Sequence, residues 1–239
     1  MSSLGEVRQI VDDWDPRGLF AGQLNEVDMT DAGRALVMRG YDDGQIAHYG
    51  KFRRSGESYF DEHSRNVTLI LLACGVKDPN ILTAALLHDA LEDTRFFGVR
   101  GDRKHSQWMQ EVRPILGAYY NEEVADMIIT MTVPEVDGET EILSKEHARE
   151  VHETILENGS EGALLIRMAD RLHNLRTRYT NIYSSAKWTS IIERTGKTLP
   201  LFERARSVYP VEAENLLVQL RGAMQGPQPF RAPTFSSNS

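Results

Sequence analysis

The densest chemistry in the sequence is His88-Asp89 followed by Glu92-Asp93, at the end of an apolar run through Ile81, Leu82, Ala84, Ala85, Leu86 and Leu87. At 100° per residue along a helix, these four metal-binding or proton-transferring side chains fall within about 140° of one another and share a face. Burying them without a partner would cost several kcal/mol, roughly the penalty for desolvating even one unpaired charge. A bound cation removes most of that penalty. The bland reading, an acidic helix end in solvent, sets carboxylates against the helix dipole.

Two weaker features gain meaning beside this one. In the segment 167–177, Arg167, Asp170, Asn174 and Thr177 fall on one stripe, with Leu164, Leu165, Met168, Leu172 and Leu175 on the opposite one. By itself that pattern describes a solvated amphipathic helix, and His63 by itself reads as a hydrogen-bonded core histidine. Together, His63, His88, Asp89 and the distant Asp170 offer two imidazoles and two carboxylates. Such a donor set suits Mn²⁺ or Fe²⁺ and differs from the sulfur-rich sets of structural zinc. His105, His147, His152 and His173 read as ordinary surface residues.

The elements that must position these groups are helices, since period-two runs rich in β-branched residues are scarce and apolar positions recur at helical spacing. An all-α, compact helical bundle is the predicted fold. Residues 1–29 read as a polar N-terminal arm, a short helix followed by extended chain with a break at Asp15-Pro16. Thr30 or Asp31 caps the next helix, through Ala35, Leu36 and Met38, and a further helical stretch covers 44–52. Val67, Ile70 and Leu71 share a face with His63 on a helix over 62–73 that Gly75 can end, so His63 points toward the core. Asp78-Pro79 opens a helix over 80–92. Residues 95–106 read as a basic loop, and further helices are predicted over 122–131, 142–157, 162–178, 186–197 and 211–224, with a polar turn at 133–138. A domain over 30–225 is followed by a Pro- and Ser-rich tail, 226–239, that reads as disordered.

Composition limits the partners. The chain has 239 residues, 41% of them hydrophobic, enough for one sizeable core. A formal net charge of −8 argues against long nucleic acid. Local clusters, Lys51, Arg53 and Arg54 or Arg95, Arg100, Arg103 and Lys104, could still reverse the field for a small polyphosphate. No apolar run approaches the roughly 20 residues that span a bilayer, and the start lacks a signal-peptide pattern, so a cytoplasmic protein is expected. Cys74, the single cysteine, sits in an apolar stretch and reads as a small buried thiol.

Three ordered blocks carry a resemblance: 47–59 (Ala-His-Tyr-Gly-Lys-Phe-Arg-Arg-Ser-Gly-Glu-Ser-Tyr) with His63, then 86–94 (Leu-Leu-His-Asp-Ala-Leu-Glu-Asp-Thr), then 167–177. Over roughly residues 34–209 the chain resembles the HD hydrolase domain of the RelA/SpoT family, with its compact helical bundle. The resemblance implies Mn²⁺ held by His63, His88, Asp89 and Asp170, with Glu92 and Asp93 as catalytic residues that position or deprotonate the attacking water. It implies a substrate site in which Arg53 stacks on guanine, Arg54 and Ser55 lie beside it, and Asn174 and Thr177 line the nucleoside pocket.

The implied reaction is hydrolysis of the 3′-pyrophosphate of guanosine tetra- and pentaphosphate (ppGpp and pppGpp) to GDP or GTP. The synthetase domain of longer family members has no room here, so a stand-alone hydrolase is expected. Two departures stand out. Ser64 replaces the proline that usually follows the first metal histidine, and Tyr59 precedes His63 by four positions where the family has three. The rival readings are an HD-type phosphatase for a nucleoside monophosphate, a deoxynucleotide or NADPH, and a non-catalytic nucleotide-sensing module. The Glu92-Asp93 pair argues against the sensor, because a pure binder needs no proton-transfer groups.

Overall fold

In a computed structural model of the chain, residues 15–53, 55–134, 144–177 and 185–225 are described. Among them the regular structure is helical, with a single isolated β-bridge between Phe52 and Ser58. The helices are α1 (Pro16–Asn25), α2 (Asp31–Ala47), α3 (Arg65–Ala73), α4 (Pro79–Leu87), α5 (Ala90–Asp93), α6 (His105–Tyr119), α7 (Glu122–Met131), α8 (Lys145–Glu157), α9 (Glu161–Arg176), α10 (Ser185–Glu203) and α11 (Pro210–Gln225). A π-turn, Phe60–Ser64, leads into α3, and a 3₁₀ turn, Arg204–Ser207, joins α10 to α11.

Helix α4 is central, because every side chain from Ile81 to Leu87 is buried. An element apolar on all sides must be surrounded, and α2, α3, α7 and α9 pack around it. Asp78 caps it by accepting from the Asn80 N–H at 2.8 Å, and Pro79 occupies the first turn, where its missing N–H costs nothing. Helix α9 is the second axis: Leu164, Leu165, Met168, Leu172 and Leu175 are buried against α3, α11 and α4.

Close approach of α2 to α4 depends on two glycines one turn apart. A Cβ at Gly40 would lie 2.9 Å from Thr83 Cγ2, and one at Gly44 would lie 2.6 Å from the Phe60 ring and 2.9 Å from the Leu86 carbonyl oxygen.

Four expectations are revised. Residues 16–25 form α1 where extended chain was expected to follow a short helix: Asp15 caps it, Pro16 starts it, and Phe20 and Leu24 are buried in the common core. Arg17 pairs with Asp42 through two bonds of 2.6 and 2.8 Å, tying α1 to α2. The helical stretch expected at 44–52 is the last turn of α2, which ends at Ala47. The helix expected over 80–92 breaks at His88-Asp89, where Asp89 takes φ −98° and ψ 0° before α5 begins. Helix α6 takes in the end of the expected basic loop and a stretch with no predicted element, because Pro114 and Gly117 obscure its buried stripe of Trp108, Val112 and Leu116. Residues 135–138 of the polar turn, 142–143 of the helix expected over 142–157, residue 178 of the helix expected over 162–178 and the 226–239 tail lie outside the described residues.

Replacing Gly44 with Ala should cost about 1–2 kcal/mol, since a backbone carbonyl cannot swing aside and overpacking outweighs the helix-propensity gain. The same change at Gly22, which has open space around it, should stabilise by about 0.5–1 kcal/mol. Urea unfolding of both variants checks the pair; a Gly44→Ala protein as stable as the parent would refute the close-approach argument.

Candidate metal centre

The π-turn explains how this chain tolerates its spacing. With the Arg65 N–H bonded to the Phe60 carbonyl, five residues back, an additional residue is taken into the helix locally. Tyr59 and His63 therefore both face α4 despite the longer separation. Tyr59 Oη donates to Asp89 Oδ2 at 2.7 Å, and the Tyr59 ring stacks on the buried His48 imidazole at 5.1 Å.

His63, His88 and Asp170 are buried, and the ligand atoms they offer lie within 4.8 Å of one another. Asp89, half-buried, stands beside this trio: its Oδ2 is 3.2 Å from His63 Nε2 and 3.1 Å from His88 Nε2. Asp170 Oδ1 lies 3.5 Å from His63 Nε2. These side chains come from the π-turn, the end of α4, the α4–α5 break and α9, so α3, α4 and α9 must pack correctly for the centre to exist.

The donor set fits a divalent cation on chemical grounds. His88 Nδ1 lies 2.8 Å from the Ala85 carbonyl, which only accepts, so Nδ1 carries a proton and Nε2 is the nitrogen turned toward the carboxylates. That Nε2 makes no hydrogen bond, yet a carboxylate oxygen stands 3.1 Å away. A lone pair and an anionic oxygen at that separation require a proton or a cation between them. Burial pulls the imidazole pKa down, but Asp89 and then Asp170 outweigh it and raise it to about 9. Burial likewise opposes ionisation of Asp89, while His88 and His63 hold its carboxyl well below the usual range. Asp170 is held low in the same way, with Arg167 as the leading charge against burial.

A ring of polar contacts orients these ligands. His63 Nδ1 lies 3.0 Å from His173 Nδ1, and His173 Nε2 lies 3.8 Å from Glu62 Oε1. Glu62 Oε2 pairs with Arg53 Nε at 3.0 Å. Arg53 reaches Asn174 Oδ1 at 3.5 Å, and Asn174 Nδ2 donates to Asp170 Oδ1 at 2.6 Å. Arg167 bonds the other Asp170 oxygen at 3.0 Å. His173 is fully buried, and burial, then His63 and Arg53, push its pKa well below the ordinary value. A neutral His173 accepting at Nδ1 leaves the His63 proton on Nδ1 and turns His63 Nε2 toward the carboxylates.

Glu92 and Asp93 stand on the far side of the break from α4. They line a cavity of about 420 Å³ with Lys51, Arg95, Arg100 and Trp108. Glu92 Oε2 accepts from the Val133 N–H at 3.2 Å. Although solvent reaches it, dense surroundings, then Asp89 and Asp93, push its pKa up to about 7. Asp93 is also raised, by burial and then Asp89.

Of the basic loop, Arg95 and Arg100 face this cavity. Arg103 instead staples the loop, donating to the Arg100 carbonyl at 2.6 Å with its guanidinium 4.6 Å from the Trp108 ring centroid.

The structure thus joins His63, His88, Asp89, Asp170, Arg53 and Asn174 and sets Glu92 and Asp93 beside an adjoining cavity. The single helical face expected for 88–93 is broken by the Asp89 backbone. Ser55 is exposed and bonds only Glu57, at 3.5 Å; Thr177 is buried and donates to the His173 carbonyl at 2.9 Å. Arg54 lies outside the described residues.

His152 and His173, expected at the surface, are both buried, whereas His105 and His147 are partly buried. His152 Nε2 lies 3.0 Å from the Thr130 carbonyl, so its ring serves the α7–α8 packing. Glu62, His173 and Tyr59 were missed as site residues. The i, i+4 and i+7 stripe signal finds Asp170, Asn174 and Thr177 but not the intervening His173, which reaches the site from the core side.

Replacing Tyr59 with Phe removes one hydrogen bond to Asp89 with little change in shape. Affinity for Mn²⁺, followed by calorimetry or by the spectrum of free Mn²⁺, should fall about tenfold, at the low end of effects from partners of ligating groups. Unchanged affinity would show that Asp89 needs no such support.

No family model matches the chain. It is 30% identical over 144 residues to a GTP pyrophosphokinase of Streptomyces coelicolor, covering 59% of this chain and 14% of that protein. It is 29% identical over 161 residues to a probable GTP pyrophosphokinase of Mycobacterium leprae, covering 61% of this chain and 16% of that protein. The chain therefore matches only a small part of these relatives. A solved structure described as a metazoan ortholog of SpoT that hydrolyzes ppGpp shares the fold, with a TM-score of 0.51 and 22% identity, over 80% of this chain and 94% of that one. The chain thus shares its helical fold with that solved structure and is similar in sequence to a part of these pyrophosphokinases.

Proposed function

We propose that this domain hydrolyses the 3′-pyrophosphate of guanosine tetra- and pentaphosphate, giving GDP or GTP and pyrophosphate, with Mn²⁺ held by His63, His88, Asp89 and Asp170. The observation that carries the reading is the buried meeting of His63, His88 and Asp170, with the half-buried Asp89 Oδ2 3.2 Å and 3.1 Å from the two histidine Nε2 atoms. When bound, a divalent cation there supplies Lewis-acid chemistry, drawing charge from phosphate oxygens and lowering the pKa of water.

The chain's own residues do the rest. Glu92, raised to about 7, is suited to take a proton from the attacking water at neutral pH. Asp93 shares that cavity wall and assists in placing the water. Arg53, Arg54, Ser55, Asn174 and Thr177 are assigned to the nucleoside on the motif resemblance. Arg53 is positioned for this by Glu62 and by the Tyr59 ring, 5.5 Å away.

Hydrolysis is proposed in preference to pyrophosphate transfer because the blocks that carry the resemblance are those of the family's hydrolase domain. The likeness to the ppGpp-hydrolysing ortholog supports the same choice. Among the described residues no helix is long and apolar enough to cross a membrane, consistent with a small dissolved substrate.

The direct test incubates the protein with Mn²⁺ and compares pyrophosphate release from ppGpp with phosphate release from NADPH and from nucleoside monophosphates. Release from ppGpp is expected to dominate; inactivity on ppGpp with turnover of another nucleotide would transfer the assignment to a different HD phosphatase. Asp89→Asn should abolish turnover with an unchanged helical circular-dichroism spectrum, and near-normal activity would sink the metal-centred scheme. As a general base, Glu92 must be ionised, so the rate should fall as pH drops below about 7, a bound cation moving the midpoint lower. Glu92→Gln should be slow at every pH and lack that limb.

A further inference from the structure

Glu92 separates two cavities, and the second is built of arginines. It measures about 500 Å³ and is bordered by Arg149, Arg167, Arg171 and Arg194, with Glu92 and Glu153 as its acids. Helix α9 supplies Arg167 and Arg171, α8 supplies Arg149, and α10 supplies Arg194. Three helices therefore aim guanidinium groups at one space.

Their charges are incompletely answered within the protein. Arg167 is committed to Asp170 at 3.0 Å. Among the described residues Arg171 Nε is buried with no hydrogen-bond partner, and an unpartnered buried donor is costly unless a ligand or water takes it. Arg194 is lowered by burial and then by Arg149 and Arg167, the signature of like charges crowded together. A compact polyanion relieves both defects, since planar guanidiniums bond phosphate oxygens in pairs.

We propose that this cavity is a diphosphate site, binding a pyrophosphate group, free or ester-linked, between Arg149, Arg171 and Arg194. This deepens the phosphohydrolase reading, because Arg167 and Glu92 border the cavity on the side of the donor cluster, where a released pyrophosphate would be captured.

The test is calorimetric titration of the full chain with inorganic pyrophosphate in EDTA, so that no cation bridges the anion to the histidine cluster. Pyrophosphate should bind the parent protein, at least tenfold more weakly after Arg149→Ala with Arg194→Ala, and with an intermediate loss for the lysine pair. Matched unfolding curves establish that both variants fold. Titration with GDP separates the sources: competition with pyrophosphate identifies an ester-linked diphosphate as an occupant, and lack of competition leaves the free anion. No pyrophosphate binding to the parent, or binding untouched by the arginine changes, overturns the proposal. Failure to hydrolyse ppGpp would overturn the preceding function and leave this binding result standing.

Discussion

Two carboxylates, Asp89 and Asp170, meet two imidazoles inside a helical core, and most of the architecture serves to make that meeting tolerable. Charges removed from water destabilise a fold unless opposite charge and hydrogen bonds surround them. Here Tyr59 and the two histidines answer Asp89, while Arg167 and Asn174 occupy the two oxygens of Asp170. His88 Nε2 and the Asp89 oxygen beside it need a positive charge between them, a proton or, in its place, a cation.

Rigid scaffolding follows from this constraint. A cluster whose members come from separate helices holds its geometry only if those helices cannot slide, and α4 is gripped on all sides. Gly40 and Gly44 bring α2 against α4, and Gly44 also accommodates Phe60 at the start of the π-turn that carries His63. Behind the ligands, the chain of contacts through His173, Glu62, Arg53 and Asn174 returns to Asp170. One consequence is that the arginine assigned to the base and the histidine assigned to the metal are mechanically linked, so neither can be repositioned independently.

The charge distribution outside the cluster is as informative as the cluster. Although the whole protein is acidic, the two cavities flanking Glu92 are lined by lysine and arginine. Glu92 sits between positive walls and two acids, and its raised pKa reflects its dense surroundings and those acids more than the arginines around it.

Much of this was legible from residue order. Apolar periodicity, the Asp78-Pro79 start and the Gly75 stop are local signals, and they mark α3, α7 and α9 to within a few residues and α4 at its start but not its end. The residue types and order of His63, His88-Asp89 and Asp170 pointed to a cation because few other arrangements suit such groups on apolar helix faces.

Other features depend on contacts that periodicity does not encode. The break at Asp89, the π-turn, the burial of His173 and the joining of α1 to the core through Phe20 and Arg17 were decided by tertiary packing. Likewise, nothing local marks Arg149, Arg171 and Arg194 as neighbours. Sequence determined which groups had to be sheltered together, since desolvation penalties attach to residue types; only the packed helices decided the distances, tautomers and enclosing walls, because those arise between segments far apart along the chain.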